Sequence, residues 1–378
     1  MINYGKHKID DDDISAVLEV LKSDFLTMGP KVPEFEQDLK EICGATYCTV
    51  VTNATAALHL SMIAFGIEQN DHVWTTPVSF VATANAGRYV GAKISFVDID
   101  PTTFNISPEN VEKKLLKTKK SEFPKAIVFV HLGGNPTKLI EVHKICKKYG
   151  ILLIEDASHA LGSMAQGSLI GACKYSDATI FSFHPVKMIT TGEGGAVLTN
   201  SKLVDRRLKL LRSHGINREL SNNSSRMPPW YYEQIELGYN YRISDLQAAI
   251  GISQLKKLNN FVSRRNELAN VYFEELQSRK LQVQFIETGH LSSYHLFIVR
   301  FCNKHSRNTA YETLLKLDIK CNVHYIPIYK FPYYVKEYGR QDQLFPNAEA
   351  YFNTALTLPL YVDLKTEQIK NICKILNV

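Results

Sequence analysis

An α/β fold built on a mostly parallel sheet is predicted by three observations. Strand-like and helix-like segments alternate through the first two hundred residues. The strand-like segments are short, continuous apolar runs, and polar residues able to carry chemistry stand where those runs end. Continuous apolar strands belong to sheets covered on both faces, and ligands of such sheets sit beyond the carboxyl ends of the strands.

Taken in order, Ile14, Val17, Leu18 and Leu21 recur at helical spacing behind acidic residues, so residues 10–23 read as a short amphipathic helix. Residues 25–30 read as a loop and 32–42 as a second helix. Residues 47–52 form the first strand, and Asn53, Ala54 and Thr55 lead it into the nearly all-apolar helix 56–65. Such a junction offers free N–H groups and a positive dipole end, an anion site suited to a phosphate. Asn and Thr at these positions also serve simply as N-caps. Strands are expected at 72–76, 93–98, 126–131 and 151–154, with helices entered at Pro77 and spanning 108–116 and 137–149. The lysines at 113, 114, 117, 119 and 120 form the densest basic cluster. No aromatic residues interleave with them, so they read as a solvated helix face rather than a nucleic-acid patch.

Further strands are expected at 178–182 and 196–199, then a helix over 203–212 and a polar loop over 213–230. Residues 231–242 lead through the caps Ser244 and Asp245 into one long helix, 246–276. Strands near 282–285, 292–301 and 321–326 indicate a small α+β domain. The expected division is a large domain over 1–245, including the N-terminal segment, and a small one over 246–378.

Composition narrows the function classes. The 378 residues carry 44 Lys+Arg against 38 Asp+Glu, a mild surplus of 6 that suits an anionic small molecule. Seven cysteines, an odd number without a C-x-x-C pair, argue for reduced thiols. No signal-like apolar core and no run of transmembrane length is present, so a cytoplasmic location without a membrane partner is expected. The twelve histidines show no H-E-x-x-H spacing, and no metal is expected.

The candidate chemistry centres on Lys187. It follows the strand 178–182 and the turn at Pro185, stands among apolar and hydroxyl side chains, and has no acidic residue within five positions. Burial disfavours the ammonium form, so such a lysine presents a neutral amine for Schiff-base chemistry. Glycines at 192, 194 and 195 allow close backbone approach to a bound group. Asp156 ends another apolar strand. It reads either as an N-cap or, with Lys187, as half of a pyridoxal phosphate (PLP) site, where an acid pairs with the pyridinium nitrogen. Glu155 is the next candidate for that acid. His159, one helical turn beyond Asp156, either faces the same ring or is a partly buried helix residue.

Three motifs carry a resemblance: Ser182-Phe-His-Pro-Val-Lys187 running on to Thr190-Thr-Gly-Glu-Gly-Gly195; Glu155-Asp-Ala-Ser-His-Ala160; and Gly238-Tyr-Asn-Tyr-Arg-Ile-Ser-Asp-Leu-Gln-Ala248 followed by Ala249. Together, in this order and through nearly the whole chain, they resemble the sugar-nucleotide aminotransferase family, the DegT group. Residues 21–36, 230–238 and 323–327 look most like its pseudaminic acid biosynthesis members. The resemblance implies an aspartate-aminotransferase-like, fold type I PLP enzyme that works as a homodimer. Lys187 would be covalent anchor and proton shuttle, Asp156 would hold the pyridine nitrogen, and His159 would lie near the ring oxygen. Phe80 would stack on the ring. Ala54, Thr55 and Ser182 would hold the phosphate, joined by Asn240 from a second subunit. Thr27, His184, His324 and Tyr325 would contact substrate. Many relatives have Ser-Gly-Thr where this chain has Asn53-Ala-Thr55, a slightly different phosphate cup.

The implied reaction transfers an amino group, with glutamate as donor, to a UDP-4-keto-6-deoxy-N-acetyl sugar, giving UDP-4-amino-4,6-dideoxy-N-acetyl-β-L-altrosamine. The alternatives are another nucleotide-linked keto sugar, of the perosamine or aminoarabinose kind, or a non-catalytic relative of the same fold. A dehydratase of the family would carry histidine in place of Lys187.

Overall fold

The computed structural model describes residues 1–217, 227–277 and 281–376. Apolar runs of four or five residues become the strands of one seven-stranded sheet: β1 (Tyr47–Val51), β2 (His72–Thr75), β3 (Lys93–Phe96), β4 (Ala126–Val130), β5 (Leu152–Asp156), β6 (Ala178–Ser182) and β7 (Gly195–Thr199). Their order is β1-β7-β6-β5-β4-β2-β3. Strands β2 to β6 pair in parallel, and β7 alone runs against both its neighbours.

Consecutive residues of a strand feed opposite faces. Ile127, Phe129 and Leu153 enter one apolar cluster, while Val128 and Ile154 enter the other. Both faces are buried, so these strands read as continuous apolar runs rather than alternating ones. The helices that make those clusters include α1 (Asp11–Leu21), α2 (Lys31–Cys43), α3 (Ala54–Ala64), α4 (Val81–Tyr89), α5 (Pro108–Lys117), α6 (Leu139–Tyr149) and α7 (Lys202–Leu211).

Several expectations are corrected. The helix predicted over 246–276 is two helices, α8 (Asp245–Leu255) and α9 (Leu258–Leu276). No glycine or proline marks the break. The turn is held from outside, by ion pairs of Lys257 with Asp10 and Asp13. It lets Leu258, Phe261 and Val262 pack with the large sheet while Leu268, Tyr272 and Leu276 pack into a third cluster.

That third cluster surrounds a three-stranded antiparallel sheet, β8 (Gln282–Val283), β9 (Phe297–Arg300) and β10 (Ala355–Leu358), in that order. The strand expected over 321–326 is absent. Asn322 makes a single bridge to Thr357, and the real partner of β9 is β10, which the sequence reading omits. Within the loop expected over 213–230, Ile216–Asn217 pairs with Glu233–Gln234 as a short ribbon, and residues 218–226 lie outside the described residues.

Lys114 is not part of a solvated face. Its ammonium lies 4.5 Å from the centroid of the Trp74 ring and donates to the Phe96 carbonyl, and burial pulls its pKa down to about 8. Helix α1 docks against α8 through the buried Asp13 and Val20. Its apolar stripe faces outward, with Ile14, Leu18 and Leu21 at 51%, 48% and 53% exposure. No described helix is long and apolar enough to cross a membrane.

Candidate active site

A cavity of ≈ 1390 Å³ lies beyond the carboxyl ends of β4, β5 and β6, against the start of α3. Ten of the twelve predicted site residues line it: Ala54, Thr55, Phe80, Asp156, His159, Ser182, His184, Lys187, His324 and Tyr325. Thr27 and Asn240 are exposed and do not line the cavity of their own chain.

Strand β6 ends at Ser182, and the chain then turns tightly. Lys187 N–H donates to His184 O at 2.8 Å, and Phe183 N–H to Gly194 O at 2.9 Å. This delivers Lys187 into the cavity wall. Among the described residues its amine makes no hydrogen bond or ion pair. Desolvation outweighs the attraction of Asp156, and the pKa of Lys187 falls to about 8.

Asp156, the last residue of β5, is buried at 6% exposure. Its Oδ2 accepts from Thr83 Oγ1 at 2.6 Å, and its Oδ1 accepts from Ser158 Oγ at 2.6 Å and Ser158 N–H at 3.2 Å. Ser79 Oγ supports Thr83 from behind, at 2.7 Å. A carboxylate offers about four lone-pair directions, and three are taken, so one remains for a donor in the cavity. Glu155 points into the protein instead, where it meets His131 Nε2 at 2.7 Å and accepts from Thr179 Oγ1 at 2.9 Å. It is not an alternative to Asp156.

The start of α3 fits an anion. Asn53 Oδ1 accepts from Ala56 N–H at 2.8 Å, a side-chain cap, while Ala54 and Thr55 lie too early in the helix to bond a carbonyl one turn back. Gly195 brings this turn beside Ser182. A Cβ there would lie 2.5 Å from Asn53 C and 2.6 Å from Ala54 N. Phe80, the N-cap of α4, stands 59% exposed at the cavity, free to cover a flat ring.

An unpaired low-pKa amine, a carboxylate with one open direction, an anion cup and an exposed aromatic face together fit PLP. Among the described residues no group of three or more His, Cys, Asp or Glu is placed to hold a metal.

The sequence reading omits Thr83, Ser79 and Ser158, which hold Asp156, and His295, which packs on His159 with ring centroids 4.4 Å apart. Ser158, two residues after Asp156, carries a readable signal, since a hydroxyl at that spacing closes a turn on an aspartate. His295 reaches the site from the segment before β9 and carries none.

Asn240 is placed by its neighbours. Residues 239–241 run beside 211–214, with Tyr239 N–H donating to Leu211 O and His214 N–H to Tyr239 O. Tyr239 and Tyr241 line the cavity, and Asn240 between them faces outward. Thr27 bridges Ser244 in a loop pinned by Asp245, whose carboxylate accepts from Gly29 N–H at 2.8 Å and Lys31 N–H at 2.9 Å.

Residues 7–377 match the model of the DegT/DnrJ/EryC1/StrS aminotransferase family. The chain is 40% identical over 376 residues to a Campylobacter jejuni protein named UDP-4-amino-4,6-dideoxy-N-acetyl-beta-L-altrosamine transaminase, covering 98% of this chain and 95% of that one. Among solved structures it resembles Helicobacter pylori PseC, an aminotransferase involved in pseudaminic acid biosynthesis, with TM-score 0.90 and 33% identity over 99% of this chain and 98% of that one. The putative sugar aminotransferase Spr1654 of Streptococcus pneumoniae, solved in a pyridoxamine phosphate form, matches with TM-score 0.92 and 26% identity over 100% and 98% of the two chains.

Proposed function

The chain belongs to the DegT/DnrJ/EryC1/StrS family of PLP-dependent aminotransferases, and from that premise we propose that it aminates a UDP-linked 4-keto-6-deoxy-N-acetylhexosamine. The donor is L-glutamate and the product UDP-4-amino-4,6-dideoxy-N-acetyl-β-L-altrosamine. What carries the proposal is 40% identity over 98% of the chain to a transaminase of that name, with the amine of Lys187 retained at the site.

Bound here, PLP supplies an electron sink for the substrate carbon that bears nitrogen. Lys187, with a pKa near 8, anchors the group through its neutral amine and then moves the proton at the reacting carbon. Asp156 keeps its open lone pair for the pyridine N–H, held in place by Thr83 and Ser158. The N–H groups of Ala54 and Thr55, with the hydroxyls of Thr55 and Ser182, receive the phosphate, and Phe80 covers the ring. His184 and His324 line the space left for the sugar nucleotide.

Asn240 and Thr27 serve the site of a second copy in a homodimer, which accounts for their exposure at the surface of a single chain. A cytoplasmic setting belongs to the same proposal, supported by cysteines that form no disulfide among the described residues. The direct test is incubation of purified protein and PLP with candidate UDP-keto sugars and glutamate, following amino-sugar formation. Equal rates on unrelated keto sugars, or no product from this one, would sink the substrate assignment.

A further inference from the structure

Strand β10 reads Ala-Leu-Thr-Leu and is buried along its whole length. Leu356 and Leu358 enter the third apolar cluster, so the alternation of a strand sends Thr357 to the opposite side. There it stands 1% exposed, and a buried hydroxyl costs free energy unless it is bonded. Its Oγ1 lies 2.9 Å from Nδ1 of His324. Its backbone is tied to the same segment, Thr357 N–H donating to Asn322 O at 2.7 Å and Asn322 N–H to Thr357 O at 3.2 Å. Asn322 and His324 line the cavity, whereas Thr357 stands behind them and does not.

The other contacts of His324 reach its backbone or its ring face. Tyr351 donates its hydroxyl to the His324 carbonyl. The helix that carries Tyr351, Pro346–Thr354, is held in turn by Asp98, just beyond β3, which accepts from the N–H groups of Asn347 and Ala348 at 2.9 Å each. The Tyr4 ring lies 5.3 Å from the imidazole, centroid to centroid. None of these contacts decides where the ring nitrogens point. Among the described residues the Thr357 hydroxyl alone hydrogen-bonds the ring.

Burial, reinforced by the charge of Lys187, pulls the pKa of His324 down to about 3, so the ring is neutral. Thr357 occupies Nδ1, which leaves Nε2 for a ligand. A neutral imidazole offers a hydrogen bond to an uncharged hydroxyl or acetamide group, not the cation that the carboxylates of an amino-acid donor call for.

Resting on the substrate reading above, we propose that Thr357 is a positioning residue for the keto sugar: it sets the ring of His324 so that Nε2 meets an uncharged polar group of that sugar. Thr357 touches no substrate itself and leaves the amino donor unaffected. Valine in its place keeps the shape and removes the hydroxyl, serine keeps the hydroxyl, and both retain the backbone bonds to Asn322.

The test follows the two half-reactions of the holoenzyme separately by cofactor absorbance, first with glutamate and then with the keto sugar. Thr357→Val is expected to raise the half-saturating sugar concentration roughly five- to tenfold, the worth of one hydrogen bond. The glutamate half-reaction and the cofactor spectrum stay as in the wild type, and Thr357→Ser restores sugar binding. In a His324→Phe background Thr357→Val adds nothing, because the residue it acts through is gone. Equal slowing of both half-reactions, or the same penalty with and without His324, would overturn the proposal by making Thr357 a structural residue only.

Nitrogen-15 NMR of the histidine-labelled holoenzyme gives a readout that needs no substrate. The His324 resonances, assigned by their loss in His324→Phe, should move in Thr357→Val and return in Thr357→Ser. Unmoved resonances would overturn the proposal whatever the sugar. Wild-type enzyme that accepts the amino group from glutamate but does not pass it to the keto sugar would instead strike at the proposed substrate, while the resonances still decide whether Thr357 sets the ring.

Discussion

Lys187 and Asp156 are complementary in how the fold treats them. The lysine is stripped of partners, and the aspartate is surrounded by hydroxyl and amide donors. Lys187→Ala should therefore abolish multiple turnover while leaving the fold intact, since acid–base catalysis alone contributes about 10²–10⁴-fold. Circular dichroism and steady-state assay check this, and near-normal turnover without added amine would refute it. The pKa near 8 also sets a pH dependence. The neutral amine fraction rises through that value, so the rate at which apoenzyme captures PLP should climb between about pH 7 and 9 and then level. The stability sign follows. The folded pKa lies below the ordinary lysine value, so between the two the unfolded chain holds more protons. The wild type should gain stability relative to Lys187→Met as pH rises across that window. Asp156→Asn should keep PLP bound but slow transamination strongly, because a neutral amide cannot stabilise the protonated ring nitrogen. Unchanged rate and spectrum would place the acid elsewhere.

At the level of elements, the site depends on β7 passing close to the start of α3. Any side chain at Gly195 would drive into the backbone of Asn53 and Ala54, which cannot yield without moving the start of α3, the proposed phosphate cup. Gly195→Ala is expected to weaken PLP binding by roughly tenfold or more, about 1.4 kcal/mol, read by spectral titration of apoenzyme. Unaltered affinity would mean the cup lies elsewhere. Much of this was legible in the sequence. The apolar runs of β4, β5 and β6 located the strand ends, and strand ends located Asp156 and Lys187. The antiparallel direction of β7 was not legible, because a strand buried on both faces has the same composition in either direction. The break between α8 and α9 was hidden too, since Lys256 and Lys257 are good helix formers and the turn is imposed by Asp10 and Asp13 more than two hundred residues away. Thr83 escaped for the same reason, meeting Asp156 across a separation of 73 residues.

For the molecule as a whole, the outward apolar stripe of α1 and the outward Asn240 lie on surfaces that a single chain leaves uncovered. If two chains share each site, Lys187→Ala and Asn240→Asp subunits, each impaired alone, should regain activity on mixing. One of the two sites in the heterodimer then has both wild-type residues. Exchange confirmed by mass without returning activity would leave Asn240 a surface turn. One further contact ties the beginning of the chain to distant segments: Ile2 bridges Ile319, and Tyr4, which lines the cavity, accepts the N–H of Leu360. On the ribosome, residues made earlier must wait for those made much later. At about 5–20 residues per second, residues 2–4 stay unpaired for roughly 6–30 s after the sheet strands have emerged. A nascent chain stalled before residue 319 should accordingly expose its first few residues to protease, even where the seven-stranded core already resists.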